Sequence, residues 1–416
     1  MKVGSFTNWN KTEYVMVFCL TMIFFQFYLY TGINATILKL LSFVTVPLVA
    51  LYCYKTFTQY NKNEFFRIMK AIVVITFISI LSAWLFKGQS IVLGYRAIAV
   101  QFSLLFFFYL YKRKPSIKSI ENFSLFLGLL YCILWLYATS RFPTITFGIS
   151  DENEMVEDLS RGMIRINFTG RISLIFAYFI ALNKAYTMKK KIYIILSVVF
   201  FIFIVMQVTR QLILWSALVT IVYIFQKSKK LMIVGAITFL TLYFVGSNIK
   251  LQQDSVIGSM IELTQQQIND NSNGDENIRI SEYRYFFTEW PSNILTRLIG
   301  NGYPHADSAY GNYYSNLQQK QRYFLSDVGY AQMYVVTGLI GLMLYICLFI
   351  KCLFRRMPED LAYTKMFMLF LLPANIAANW YAKTDCQISM CIAVYLIAIY
   401  ALPKTKKAIV VKNIKY

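Results

Sequence analysis
Apolar length constrains this chain more than any other feature. Twelve apolar stretches run along it, near residues 14–32, 34–54, 69–86, 91–111, 121–139, 170–187, 192–209, 211–226, 231–247, 328–350, 362–382 and 385–402. Most are long enough to cross a hydrocarbon core, which takes about 20 helical residues. The chain has 416 residues, 57% apolar and 15% charged, which is room for twelve helices and one substantial loop. The expectation is an all-α polytopic membrane protein of about 12 transmembrane helices, with residues 1–416 as a single transmembrane domain. The first apolar run starts at Tyr14, is long enough to span a bilayer and lacks a small-residue cleavage site, so it reads as a first span rather than a signal peptide.

The charges sort by side. With the N-terminus in the cytoplasm, the inner tails and loops carry 26 Lys and Arg against 5 acids, and the remaining 15 basic and 15 acidic residues fall in or beyond the membrane on the outer side. That satisfies the positive-inside rule at every turn and places both termini in the cytoplasm. The net charge of +21 is spread over short loops such as Lys112-Arg113-Lys114 and Lys189-Lys190-Lys191, which argues against nucleic acid as a partner. Membrane lipid is the partner this pattern implies. The seven cysteines lie in or beside apolar stretches, so structural disulfides are not expected; with one histidine and no Cys-x-x-Cys, neither is a metal site of the zinc type.

The two sides also use different cations. Inside, 22 of the 26 are Lys; outside, 10 of 15 are Arg. Lysine suffices as a point charge against lipid headgroups, whereas arginine offers a planar fork that matches phosphate bidentately. An outer surface rich in Arg therefore points to a phosphate-bearing ligand, although pairing with the 15 outer acids would account for any single one.

Two outer segments interrupt the apolar pattern: residues 140–169, and a large loop subdomain at 248–327. A loop that long inside a compact fold is usually functional. Within it, residues 255–268 and 278–290 have helical character. In the second, Ile280, Tyr283, Phe286, Phe287 and Trp290 form an apolar stripe flanked by Arg279 and Arg284, Glu282 and Glu289 point away, and Pro291 ends the helix. The run 270–276 (DNSNGDE) has the wrong spacing for a calcium loop and reads as a solvated turn. No repeat relates the two halves, which weakens a transporter reading. Arg96 is the one clear basic residue well inside a span, and it could face a lumen or snorkel outward.

From Arg284 the chain reads RYFFTEWPSNILTRLIGNGYPHADSAYGN, then FLSDVGYAQMYVVTGLIGLMLY. The Arg-led amphipathic helix, Gly300-Asn301-Gly302, and Asp327 eleven positions before Gly338 resemble the O-antigen polymerase (Wzy-type) and O-antigen ligase superfamily of bacterial envelopes. Val208-Thr209-Arg210-Gln211, in the turn between spans seven and eight, is a second likeness. A third is Arg165-Ile166-Asn167-Phe168-Thr169-Gly170-Arg171, leading into span six. The overall pattern of about twelve spans with one large outer loop before the last three extends the resemblance over nearly the whole chain. The Pro-Asn pair found before span six in ligase-like members is absent, and where they carry His-Asn this chain has Asp327-Val328, which favours polymerase over ligase.

The resemblance implies a GT-C-like fold in the bacterial cytoplasmic membrane. It implies an undecaprenyl diphosphate-linked oligosaccharide as substrate, with no cofactor and no metal, and leaves room for a chain-length regulator protein as a partner. Transfer of a glycan from the lipid diphosphate to a hydroxyl of another repeat unit builds charge on the departing diphosphate, which fixed guanidiniums would stabilise. Arg210, Arg284, Arg165, Arg171 and Arg279 are the candidates for that role. For the proton acceptor the candidates are Asp327, which could instead be a helix N-cap contributing about 1 kcal/mol, and His305, whose ordinary pKa near 6.5 suits proton transfer. Gly300 and Gly302 would allow a tight turn or close approach to a ligand. The alternatives are a ligase transferring finished polymer to lipid A core, and a lipid-linked oligosaccharide flippase.

Overall fold
The computed structural model describes residues 35–141, 169–207, 209–227 and 278–402, with 35–43 as backbone alone. Among these residues there is no strand. In chain order the helices are α1 (Ala35–Thr58), α2 (Glu64–Lys87), α3 (Ile91–Ile98), a 3-10 segment (Ala99–Leu104), α4 (Leu105–Arg113), α5 (Ile117–Ser140), α6 (Arg171–Met188), α7 (Lys191–Met206), α8 (Arg210–Lys227), α9 (Ile278–Thr288), α10 (Ile294–Ile299), α11 (Ala309–Gln321), α12 (Gly329–Phe354), α13 (Ala362–Ala374) and α14 (Thr384–Tyr400). Local chemistry sets many of the boundaries. The Asn63 side chain accepts from the amides of Phe65 and Phe66 to start α2, and Gly88 in the left-handed region ends it. Ser116 and Ser308 start α5 and α11 in the same way. The start of α6 is capped from another helix: the Asp385 carboxylate accepts from the amides of Gly170 (3.1 Å) and Ile172 (2.8 Å).

Four units are long and apolar enough to cross a membrane: α2, the run Ile91–Arg113, α5 and α12. Several apolar helices thus mark a membrane protein, while α7 and α14 are shorter. The stretches at 14–32 and 231–247, the acidic start of the 140–169 loop beyond Arg141, and residues 255–268 and 270–276 lie outside the described residues. Stretch 362–382 is helical only to Ala374; these 13 residues rise about 20 Å, less than a hydrocarbon core. Asn375 then turns the chain, its side chain accepting from the Tyr381 amide and donating to the Leu371 carbonyl.

Side-chain contacts define two ends of the bundle. At the basic end Glu64 pairs with Lys351 and Arg355, Lys227 with Glu359, and Lys112 donates to the Tyr52 carbonyl. Just inside it lies a buried pair, Lys184 and Glu121 at 2.9 Å, with the Tyr363 hydroxyl donating to the same carboxylate. At the opposite, loop end, α9 to α11 gather over the turns that join α2 to α3 and α13 to α14. They enclose a second, smaller core of Phe286, Trp290, Tyr310, Tyr314 and Leu325, which closes on the first turns of α12 through Ala331 and Val335.

Two of the spanning units are interrupted. The run 91–113 passes through its 3-10 segment, where Ser103 donates to Gln387 of α14 at 2.5 Å. The other break is at Gly338 of α12, where φ 70° and ψ −173° leave the helix. The amides of Asn301 (2.8 Å) and Gly302 (3.1 Å) donate to the carbonyls of Val335 and Val336 there. Backbone lies against backbone: a β-carbon at Gly338 would stand 2.2 Å from the Leu298 carbonyl oxygen, and one at Gly300 2.3 Å from that of Val336. The close approach expected of Gly300 and Gly302 is therefore to protein backbone, with Gly302 meeting the Ser79 carbonyl of α2.

Helix α9 corrects one expectation. Phe286 and Trp290 are buried as the stripe requires, but Glu282, expected to point away, is only 1% exposed, and Ile280 is 56% exposed. The buried face follows the spacing Glu282, Phe286, Trp290. Burial of the carboxylate is offset by the Phe324 amide, which donates to it at 2.7 Å. The helix ends at Thr288, three residues before Pro291.

Candidate functional site at the loop end
Arg171 opens α6 and is 6% exposed. Its Nη1 donates to the Thr209 hydroxyl at 3.3 Å, and its guanidinium lies 5.8 Å from the centre of the Trp380 ring. Thr209 is the neighbour of Arg210, which opens α8, so one side chain links the two guanidinium-bearing helix starts. Both stand where a helix presents its positive end; at α6 the Asp385 carboxylate already occupies the amides, and the start of α8 is a position suited to an anion. The burial of Arg171 distinguishes it from Arg279 and Arg284, which lie exposed along α9. Arg165 lies outside the described residues.

On the other side of the 375–383 turn stand two carboxylates. Asp327 closes a 3-10 turn (Leu325–Asp327), half-buried, and accepts from the Ser326 hydroxyl at 3.1 Å. It is not a helix cap: α12 begins at Gly329, its N-cap position is Val328, and no side chain caps it. Glu282 stands close enough for the charge of Asp327 to act on it. Burial, first, holds the Glu282 carboxyl up at about 7; the Phe324 amide opposes this, Asp327 adds to it, and Arg279 opposes it. A carboxylate poised near neutrality beside a second one is suited to holding or passing a proton.

The 375–383 turn joins these groups into one surface. The Asn379 amide donates to the Ser326 carbonyl at 3.0 Å, next to Asp327, and the Tyr283 hydroxyl to the Ile376 carbonyl at 2.6 Å, next to Glu282. Trp380, one residue on, carries Arg171. Gly329 lets the start of α12 lie on the same turn, since a β-carbon there would meet the carbonyls of Ala378 and Asn375.

His305 belongs to a different neighbourhood. Buried Gln89 holds its loop, accepting from the His305 amide and the Ser308 hydroxyl and donating to the Tyr303 carbonyl. The Asp307 amide donates to Nδ1 at 3.2 Å, which places the imidazole proton on Nε2 and leaves no free lone pair for a base. Asp307 also reaches Arg96 at 3.8 Å, so the intramembrane arginine turns to the loop end. Burial and then Arg96 push the His305 pKa below its ordinary value, against Asp307.

The structure thus brings Arg171, Arg210, Arg279 and Asp327 to one end around a shared turn, and sets His305 apart. Sequence reasoning missed Glu282 and Trp380, and gave Thr209 only as part of a motif. For Glu282 the signal was present in its four-residue spacing to Phe286 and then Trp290. For Trp380 there was none, because it sits inside an apolar stretch read as a span. Comparison with known proteins finds neither a family model nor a curated protein that matches this chain.

Proposed function
We propose that this protein is a membrane glycosyltransferase that polymerises undecaprenyl diphosphate-linked oligosaccharide repeats into an O-antigen or capsular polysaccharide at the outer face of the bacterial cytoplasmic membrane. The observation that carries the reading is that the 375–383 turn touches buried Arg171 through Trp380 and, through Asn379 and Ile376, the neighbours of the carboxylates Asp327 and Glu282. Arg171 and Arg210 hold the diphosphate, and the loop end is extracytoplasmic. The acceptor hydroxyl oxygen forms the bond to the anomeric carbon while the bond from that carbon to the diphosphate oxygen breaks. The electron pair leaves with the diphosphate, whose new charge the guanidiniums stabilise more in the transition state than before it. The hydroxyl proton passes to Asp327, with the Glu282 carboxyl behind it.

Envelope polysaccharide from a deletion strain, run on a gel, tests the assignment. Loss of the ladder with a single repeat still attached supports the polymerase. Loss of all attachment with lipid-linked polymer retained would make it a ligase, and repeats trapped on the cytoplasmic side a flippase.

A further inference from the structure
Residues 294–302 behave unlike a loop in water. The α10 residues Ile294, Leu295 and Leu298 are exposed, Leu295 by 52%. α10 packs against both α2 and α12, and those two spans also carry exposed apolar side chains, Leu85 three residues from Ser82 on α2 and Leu339 and Ile340 beside Gly338 on α12. The segment also descends. The Ser82 hydroxyl donates to the Gly300 carbonyl and Gly302 rests on the Ser79 carbonyl. Ser79 lies eight residues below the loop end of α2 at Lys87, about 12 Å along the helix axis.

Its polar backbone is paired within the protein, as hydrocarbon requires and water does not. Asn293 and Thr296 form a reciprocal capping box, the Gly300 amide donates to the Thr296 carbonyl, and the amides of Asn301 and Gly302 take the carbonyls at the α12 break. Arg297, the one charge, reaches back toward the loop end, its Nη2 directed at the Thr288 carbonyl at 3.5 Å, as a snorkelling arginine does.

The geometry points to a re-entrant wedge: Asn293–Gly302 dips into one leaflet between α2 and α12, and Ile294, Leu295 and Leu298 contact phospholipid acyl chains. The inference rests on α2 and α12 being spans and not on the polymerase assignment. Its test is photocrosslinking in proteoliposomes of phosphatidylethanolamine and phosphatidylglycerol containing a minor fraction of undecaprenyl phosphate. p-Benzoylphenylalanine is placed singly at positions 295, 298, 85 and 313, the last on an exposed tyrosine of α11, in protein that remains monodisperse. Phospholipid adducts at 295 or 298 with a yield comparable to position 85, and none at 313, are expected. Adducts at 85 with none at 295 and 298, or adducts there only to polyprenyl phosphate or to a second copy of the protein, would overturn the wedge. Failure at 85 as well would remove the spanning assignment of α2 and the inference with it. A normal polysaccharide ladder in the deletion strain would leave the crosslinking result untouched.

Discussion
Replacing Glu282 by Gln removes a titration that the fold has shifted, and the consequence for stability has a definite sign. The carboxyl is held at about 7 in the folded protein against 4.5 ordinarily, so between those values the folded state binds more protons than the unfolded one and stability falls as pH rises. Below about pH 4.5 the group is protonated in both states and contributes nothing; above about pH 7 the full cost of burying the charge is present. The gap corresponds to on the order of 3 kcal/mol. Glutamine keeps the shape and can still accept from the Phe324 amide at the same place. Glu282→Gln should therefore match the wild type near pH 5 and exceed its unfolding temperature at pH 8 to 9. The buried thiols of Cys53, Cys352, Cys386 and Cys391 report unfolding through a maleimide dye, and the difference between the two proteins at each pH cancels other titrations. Parallel profiles from pH 5 to 9 would mean that Glu282 is not titrating in a buried site.

The guanidiniums are tested by charge-conserving change: Arg171→Lys and Arg210→Lys should each lose most chain growth at normal protein level, and Arg322→Lys should not, since only the first two lose a fork aimed at phosphate; full activity of both would remove the diphosphate-clamp idea. Asp327→Asn should abolish polymerisation without lowering the unfolding temperature, because the side chain caps no helix, while His305→Ala should retain partial activity; the reverse pattern on a polysaccharide gel would make the histidine the base. Gly338→Ala should destabilise by on the order of 3 kcal/mol or more, from left-handed strain and loss of the paired carbonyls, whereas Gly88→Ala, with open space around it, should cost about 1 kcal/mol; equal effects in a thermal scan would refute the backbone contact.

The helical class and the position of many helices were legible because apolar length and capping residues such as Asn63, Ser116 and Ser308 are local signals. Arg171 and Arg210 were singled out by residue type, and the structure places both at the loop end. Periodicity left one edge of the α9 stripe open: the five apolar residues and Glu282 fall within less than half its circumference, with Glu282 at the edge, and the Phe324 amide, distant in sequence, decides that the carboxylate goes in. The break at Gly338 was hidden for a related reason. The partners of Val335 and Val336 come from a segment that reads as an outer loop, and nothing in either segment by itself announces the other. The turn after Ala374 was hidden because Ile376, Trp380 and Tyr381 are as apolar as a span.

The Gly338 break also bears on how the chain is made. A helix that pairs all its own amides can be released into lipid as soon as it leaves the translocation machinery, but the final form of α12 draws its partners from Asn301 and Gly302, which are synthesised earlier. Membrane insertion and completion of the native backbone pairing are consequently separate events for this helix. The break at Gly338 is complete only once the backbone of Asn301 and Gly302 meets the carbonyls of Val335 and Val336.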